Sequence, residues 1–257
     1  MEQTVLLTSG QHRIPCVLTR PEDHAVNQVV LGVHGFGGSS RDDIQQAIAE
    51  EMAMFCDATI RFDFPAHGEN PDHRLSLQSC RETLLAVARY AKEQFPEVED
   101  LCIFATGFGA YVTLCSLEEL MELPGQIRLV IQSPSVLMHS TLLSMLQMSE
   151  QTFRVMEQTS LPIPGHPLTV TYEFYEELKS HLALTSQPLP MLILHGEEDT
   201  YIPVEDIRNF RRVNEDSKLV LIPGVTHRFL EEGAWDMVLD LTRDWFSFEQ
   251  VLLCDWE

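Results

Sequence analysis

Basic residues are scarce in this chain. Of its 257 residues 17 are Lys or Arg, against 39 Asp or Glu, which leaves a formal net charge of −22. A surface of that sign repels phosphate backbones and anionic bilayers, so nucleic acid and membrane are not expected partners. The acidic residues are spread along the chain rather than gathered in a tail, and they read as solvated surface. Long apolar runs are missing too, and a span of about 18 such residues is what a bilayer crossing needs. The opening "MEQTVLLTSGQHR" has neither the basic start nor the apolar core of a secretory leader. Six cysteines (Cys16, Cys56, Cys80, Cys102, Cys115, Cys254) form no CxxC pair, so no zinc site and no disulfide framework is indicated. Internal repeats and low-complexity tracts are absent. These absences lead to the expectation of a soluble, cytoplasmic protein without a zinc site.

What is present is a rhythm. With 44% hydrophobic residues the chain has material for one large α/β domain or two small ones. Short apolar, β-branched runs recur: "VVLGV" (29–33), "ATIRFDF" (58–64), "LCIFA" (101–105), "LVIQ" (129–132), "MLILH" (191–195) and "KLVLI" (218–222). Near-continuous apolar runs of this length predict parallel strands covered on both faces. Residues 4–8 and 14–19 are predicted as two edge strands. Between the runs lie helical periods: Ile44, Ile48, Met52 and Phe55; Leu84, Val87, Ala91 and Phe95, closed by Pro96; and Trp235, Val238, Leu241 and Trp245. Strands alternating with helices predict a doubly wound α/β domain. One region breaks the pattern. Nearly sixty residues after Gln132 hold no core strand, and an excursion of that length predicts a lid or inserted subdomain.

The next absence is a single side chain. "CIFATGFGAYVTL" (102–114) runs from a strand through a glycine-rich turn straight into a helix. Such a turn carries a nucleophilic serine in the pattern G-x-S-x-G, with small flanking residues that let the backbone close. Here it reads Ala105-Thr106-Gly107-Phe108-Gly109, with small flanks and an empty centre. Glycine also accepts the positive φ that a tight turn demands, so the backbone can keep its shape while the hydroxyl is gone. Thr106 is one residue off; Ser39, Ser40, Ser133 and Ser135 read as local hydrogen-bonding residues. The same stretch imitates the start of a dinucleotide-binding G-x-G-x-x-G, but the third glycine would fall at Val112 and no acid ends the next strand. "GFGGSS" lacks the Gly-Lys-Ser/Thr of a phosphate loop.

Four further loops follow predicted strands: "HGFGGSS" (34–40), "DFPAHGEN" (63–70), "HGEEDTYIP" (195–203) and "PGVTHRF" (223–229). Ligands bind at such strand ends in open α/β sheets. With the turn at Gly107, the set resembles the α/β-hydrolase superfamily. It is more similar still to the cap-bearing branch of esterases and serine peptidases, bacterial cinnamoyl and feruloyl esterases included. The resemblance spans essentially the whole chain. It implies an α/β-hydrolase fold with a core of residues 1–135 and 189–257 and a cap at 136–188. It also implies carboxylic-ester hydrolysis through an acyl-enzyme, with no cofactor. Position 107 is where the nucleophile belongs, His227 matches the general base, and Asp199 the carboxylate that holds its tautomer. The backbone N–H groups of Phe36 and Phe108 match the oxyanion donors. His34 and His67 are expected to brace their loops.

With Gly107 in place, three readings stand side by side. The chain is a disarmed hydrolase that binds small acyl or aromatic esters without fast turnover. Alternatively, it is a serine enzyme whose nucleophile has been exchanged for glycine. In the third reading it is a water-using or non-hydrolytic enzyme working through His227 and Asp199. Losing a triad serine costs on the order of 10⁶ in kcat, and an oxyanion hole alone retains roughly 10³–10⁴ over water, so only slow hydrolysis is expected.

Overall fold

The computed structural model describes residues 1–10, 12–21, 24–72, 74–163 and 167–247. Its frame is an eight-stranded sheet. In chain order the first half of the elements are β1 (Glu2–Ser9), β2 (His12–Thr19), β3 (Val29–Val33), α1 (Asp43–Met54), β4 (Ala58–Phe62), α2 (Leu77–Gln94), β5 (Leu101–Thr106), α3 (Gly107–Leu114), α4 (Leu117–Leu120) and β6 (Ile127–Gln132). An inserted stretch then holds α5 (Met138–Leu146), α6 (Glu150–Met156), β7 (Gln158–Leu161), β8 (Leu168–Thr171) and α7 (Tyr172–Ser180). The chain returns to the sheet with β9 (Leu192–Gly196), α8 (Val204–Val213), β10 (Lys218–Ile222) and α9 (Ala234–Phe246).

The sheet order is β1-β2-β4-β3-β5-β6-β9-β10, and β7 pairs with β8 in a separate two-stranded sheet. β4, β3, β5, β6, β9 and β10 run parallel; β2 is antiparallel to β4 and to β1. The periodicity of two splits each central strand between two layers. Leu31, Ile103 and Ile131 join the core layer that includes Leu84 and Val87 of α2 and Tyr111 of α3. Val30, Cys102 and Val130 face the layer of Ile48 and Met52 of α1 and Val238 and Phe246 of α9. Burial on both sides is why β3 is apolar without alternation; β4 is equally buried but carries Thr59 and Arg61 between its apolar residues, whereas β1 alternates half-buried and exposed residues over much of its length.

Three sequence expectations are corrected. Residues 14–19 are not an edge strand: β2 lies inside the sheet, with Cys16 paired to Phe62, and the true edges are β1 and β10. Phe55 leaves the core face of α1. It caps the helix, is 44% exposed, and holds the Arg243 guanidinium 5.3 Å from its ring centroid, while Gln45 and Ala49 take up the buried face. On α9 the buried line is Ala234, Val238, Thr242 and Phe246, one position round from the predicted Trp235–Leu241–Trp245 stripe. Indole and leucine side chains cover the flank of the contact, while smaller groups and one Phe fill its centre. Among the described residues no helix is long and apolar enough to cross a membrane.

Candidate functional site

The turn after β5 is the tightest junction in the sheet. β5 ends at Thr106 and α3 begins at Gly107 with φ +50°, in the left-handed region that penalises any side chain. Space is not the constraint there. A Cβ at 107 would meet nothing nearer than Gly35 Cα at 3.9 Å and the Ser133 carbonyl at 4.0 Å. Gly109 is different: its Cβ would stand 2.4 Å from the His34 carbonyl and 2.7 Å from that of Val33. Packing therefore requires glycine at 109, whereas at 107 conformation alone favours it. Thr106, the N-cap residue of α3, makes no side-chain cap; its hydroxyl donates to the Val33 carbonyl at 3.5 Å.

On the far side of the sheet's C-terminal rim stand Asp199 and His227. Asp199 Oδ2 lies 2.7 Å from His227 Nδ1, and Oδ1 accepts the N–H groups of Tyr201 and Ile202 at 2.8 and 2.9 Å. Asp199 is 9% exposed, whereas Glu197 and Glu198 beside it point to solvent. Burial alone would push this carboxyl up; the bonds from His227, Ile202 and Tyr201 outweigh it and hold Asp199 below the ordinary carboxylate value. Beneath the pair is His195, fully buried. Its Nε2 meets the Ile202 carbonyl at 3.2 Å and its Nδ1 stands 3.9 Å from Asp199 Oδ2. Burial, outweighing the attraction of Asp199, holds the His195 pKa below the ordinary imidazole value. The Ile202 peptide is thus gripped at both ends, its N–H by Asp199 and its carbonyl by His195.

Ser133 joins the two halves. It has φ +44°, its hydroxyl donates to the His227 carbonyl at 3.5 Å, and its own carbonyl borders the empty space at 107. The Ser135 N–H donates to the Gly107 carbonyl at 3.2 Å. Ser39 is engaged locally with Asp42, at 3.3 Å.

The loop of Phe36 is held from below. His34 Nε2 accepts from the Phe64 N–H at 3.1 Å, which leaves the proton on Nδ1 to donate to the Gly35 carbonyl at 2.8 Å. His67 Nδ1 contacts the Pro65 carbonyl at 2.9 Å. Both histidines serve the backbone, as the sequence led us to expect. Sequence reasoning missed the residue that ties these loops together. Asp63, 2% exposed, accepts the Ser40 N–H at 2.6 Å and the Glu69 N–H at 2.8 Å. The buried Arg61 holds the Ser40 carbonyl at 3.2 Å, so both ends of the Ser40 unit are fixed. An arginine and an acid two residues apart in the otherwise largely apolar run 58–64 were the available signal.

Phe36 and Phe108 touch edge to face at 5.3 Å between centroids. Residues of the inserted stretch lie against them: Phe174 of α7 stacks on Phe36 at 6.3 Å and meets Phe108 at 6.1 Å. Ile163 approaches Gly37, whose Cβ would stand 2.8 Å from its Cγ2. Among the described residues no group of three or more His, Cys, Asp or Glu side chains is placed to hold a metal ion. The five described cysteines are free thiols.

No family model and no curated protein sequence matches the chain. Solved structures do. A complex of Est1E from Butyrivibrio proteoclasticus with ferulic acid superposes with a TM-score of 0.81 at 20% identity, covering 94% of this chain and 97% of that one. Alpha/beta hydrolase domain-containing protein 10 from mouse gives 0.76 at 16% identity, over 94% and 97%. An esterase of Pyrococcus furiosus gives 0.67 at 18% identity, over 95% and 93%. The chain has the α/β-hydrolase fold.

Proposed function

We infer that the protein is a carboxylic-ester hydrolase type whose site retains everything but the nucleophile. The single observation that carries this reading is the contrast at the turn: Gly107 at φ +50° with open space where a side chain would sit, bordered by Ser133, whose hydroxyl donates to the carbonyl of His227 in the bonded Asp199–His227 pair. In this reading Asp199 fixes the Nδ1 proton of His227 and leaves Nε2 free as a base. The N–H groups of Phe36 and Phe108 receive the developing oxyanion; the latter belongs to the first turn of α3, where backbone donors lack helical acceptors. Residues 136–188 act as a cap, a role supported by the contacts of Ile163 and Phe174 with the loop of Phe36. The ligand is a small acyl or aromatic ester, in keeping with a neighbouring fold that holds ferulic acid.

Without a hydroxyl at 107 the remaining chemistry is direct attack by water. His227 takes a proton from water as the hydroxide adds to the ester carbonyl; the tetrahedral oxyanion collapses, and the alcohol leaves with that proton. Turnover is then slow, and the site is chiefly a binding site. The same geometry serves a serine enzyme whose nucleophile has been exchanged, and one experiment separates the two outcomes from an error in the reading. Hydrolysis of short-chain and aromatic esters is compared between the chain and its Gly107→Ser variant. A gain of at least about 10³ in kcat supports a poised site lacking only its nucleophile. Equal, fast turnover by both forms would overturn the assignment of the turn.

A further inference from the structure

Tyr201 makes two contacts with the acid–histidine pair. Its N–H donates to Asp199 Oδ1 at 2.8 Å, and its ring lies 5.2 Å from the His227 imidazole, centroid to centroid, at an angle of 55°. Tyr201 therefore holds the acid with its backbone and meets the base with its side chain. Among the described residues no other ring approaches that imidazole, and the phenol hydroxyl has no hydrogen-bond partner. The residue is 48% exposed. Neither pairing nor burial explains where the ring sits.

The ring stands on a stiff support. Asp199 Oδ1 also accepts the Ile202 N–H, and His195 meets the Ile202 carbonyl. The Ile202 side chain is buried, and Pro203 follows with φ −58° as the N-cap of α8. A residue before proline is kept out of the helical region, so the chain leaving Tyr201 has little freedom. Two side-chain torsions are all that Tyr201 has left to order.

The imidazole is the less protected member of the pair. The Asp199 side chain is fully buried, whereas that of His227 is 29% exposed. Water that reaches the imidazole competes with the carboxylate for the Nδ1 proton, and an open flank lets the ring swing out of line. Ser133 touches His227 only at its carbonyl, which leaves the imidazole to Asp199 and Tyr201. An aromatic ring on that flank excludes water and limits the swing, while its hydroxyl bonds to neither imidazole nitrogen.

We propose that Tyr201 is a positioning residue whose ring covers the flank of the Asp199–His227 bond, keeps water from it and holds the imidazole in line with the carboxylate. Its consequence for turnover rests on the ester-hydrolase reading; the shielding of the bond does not.

The first measurement uses the chain with Gly107 in place and isotope-labelled histidine. NMR follows the exchange of the His227 Nδ1 proton with water. Tyr201→Ala keeps the backbone N–H to Asp199 and removes a ring that is half in solvent, so the fold does not hang on it. It should speed exchange at least about 10-fold, while Tyr201→Phe stays within about twofold of the parent. In the Gly107→Ser background, Tyr201→Ala should lower kcat about 10-fold with KM unmoved, and Tyr201→Phe should restore it. Unchanged exchange in Tyr201→Ala overturns the proposal, as does a proton too labile to observe in the parent. Tyr201→Phe behaving like Tyr201→Ala also overturns it, because the effect would then belong to the hydroxyl. A rise in KM at constant kcat would make Tyr201 a substrate contact instead. Faster exchange with no hydrolysis by Gly107→Ser keeps the shield and removes the hydrolase. Hydrolysis by Gly107→Ser with exchange and kcat unmoved by Tyr201→Ala keeps the hydrolase and removes the shield.

Discussion

The two halves of the site are built on opposite terms. The acid–histidine half is saturated: Asp199 makes three hydrogen bonds, and the Ile202 peptide is held from both ends. The turn half is unfilled: a left-handed backbone at Gly107 frames a space with no side chain in it. A backbone cost of about 1–2 kcal/mol applies to a side chain in that conformation, and glycine escapes it. The lesson is that the turn's shape does not depend on the residue whose chemistry it would present. The shape is enforced next door, by Gly109 against the carbonyls of Val33 and His34.

The sharpest way to test that contrast is to fill the space. Gly107→Ser is expected to raise ester hydrolysis by up to about 10⁶-fold, the usual cost of losing a triad serine, and product release assayed with equal protein settles it. An inert serine variant would mean that the halves are not aligned. Second in size is the acid. In the Gly107→Ser background, Asp199→Asn should lower kcat by about 10⁴-fold, because the wrong His227 tautomer is then favoured. A loss of only a few-fold would move the orienting role elsewhere. Third is the pair of glycines. Gly109→Ala places a methyl inside two backbone carbonyls and should cost about 3 kcal/mol, read as a large fall in the denaturation midpoint. Gly107→Ala meets open space and should cost only about 1 kcal/mol for its φ. Equal losses would refute the claim that packing fixes one glycine and conformation the other.

The smallest effect lies outside the site and serves as its electrostatic control. Asp57 is buried, which pushes its carboxyl up to about 7. A raised acid keeps its proton in the folded state while the unfolded chain has already lost it, so stability falls as pH rises from about 4 towards 7. Asp199 has the opposite sign: held below its ordinary value, its contribution is present above that value and is lost as pH falls through the folded pKa. Asp57→Asn should flatten the loss between pH 4 and 7 and leave the acid-side loss in place. Denaturant midpoints across that range give the answer, and an unchanged slope would remove Asp57 as its source.

Much was determined by the sequence alone. Near-continuous apolar runs specify strands, because a strand buried on both faces has no need of an exposed polar face; six of the predicted runs are the parallel strands of the sheet. The loops that carry Phe36, Gly107, Asp199 and His227 were legible because turn chemistry is local: a glycine stands at or just past each strand end, joined by a histidine in three of the four loops and by Asp199 in one. Sequence could not set which face of a helix is buried to better than one position. Thr242 and Phe246 sit where Leu241 and Trp245 were expected, since the partner's shape decides how a bulky side chain is accommodated. Nor could it place β2 between β1 and β4, a matter of pairing between distant segments. Only the tertiary structure brought Asp63 to Ser40 and Glu69, His195 under Asp199, and Phe174 from the insertion onto Phe36 and Phe108. Those contacts join residues from 4 to 138 positions apart. Their strength comes from burial and direction, and neither exists until the chain has closed on itself.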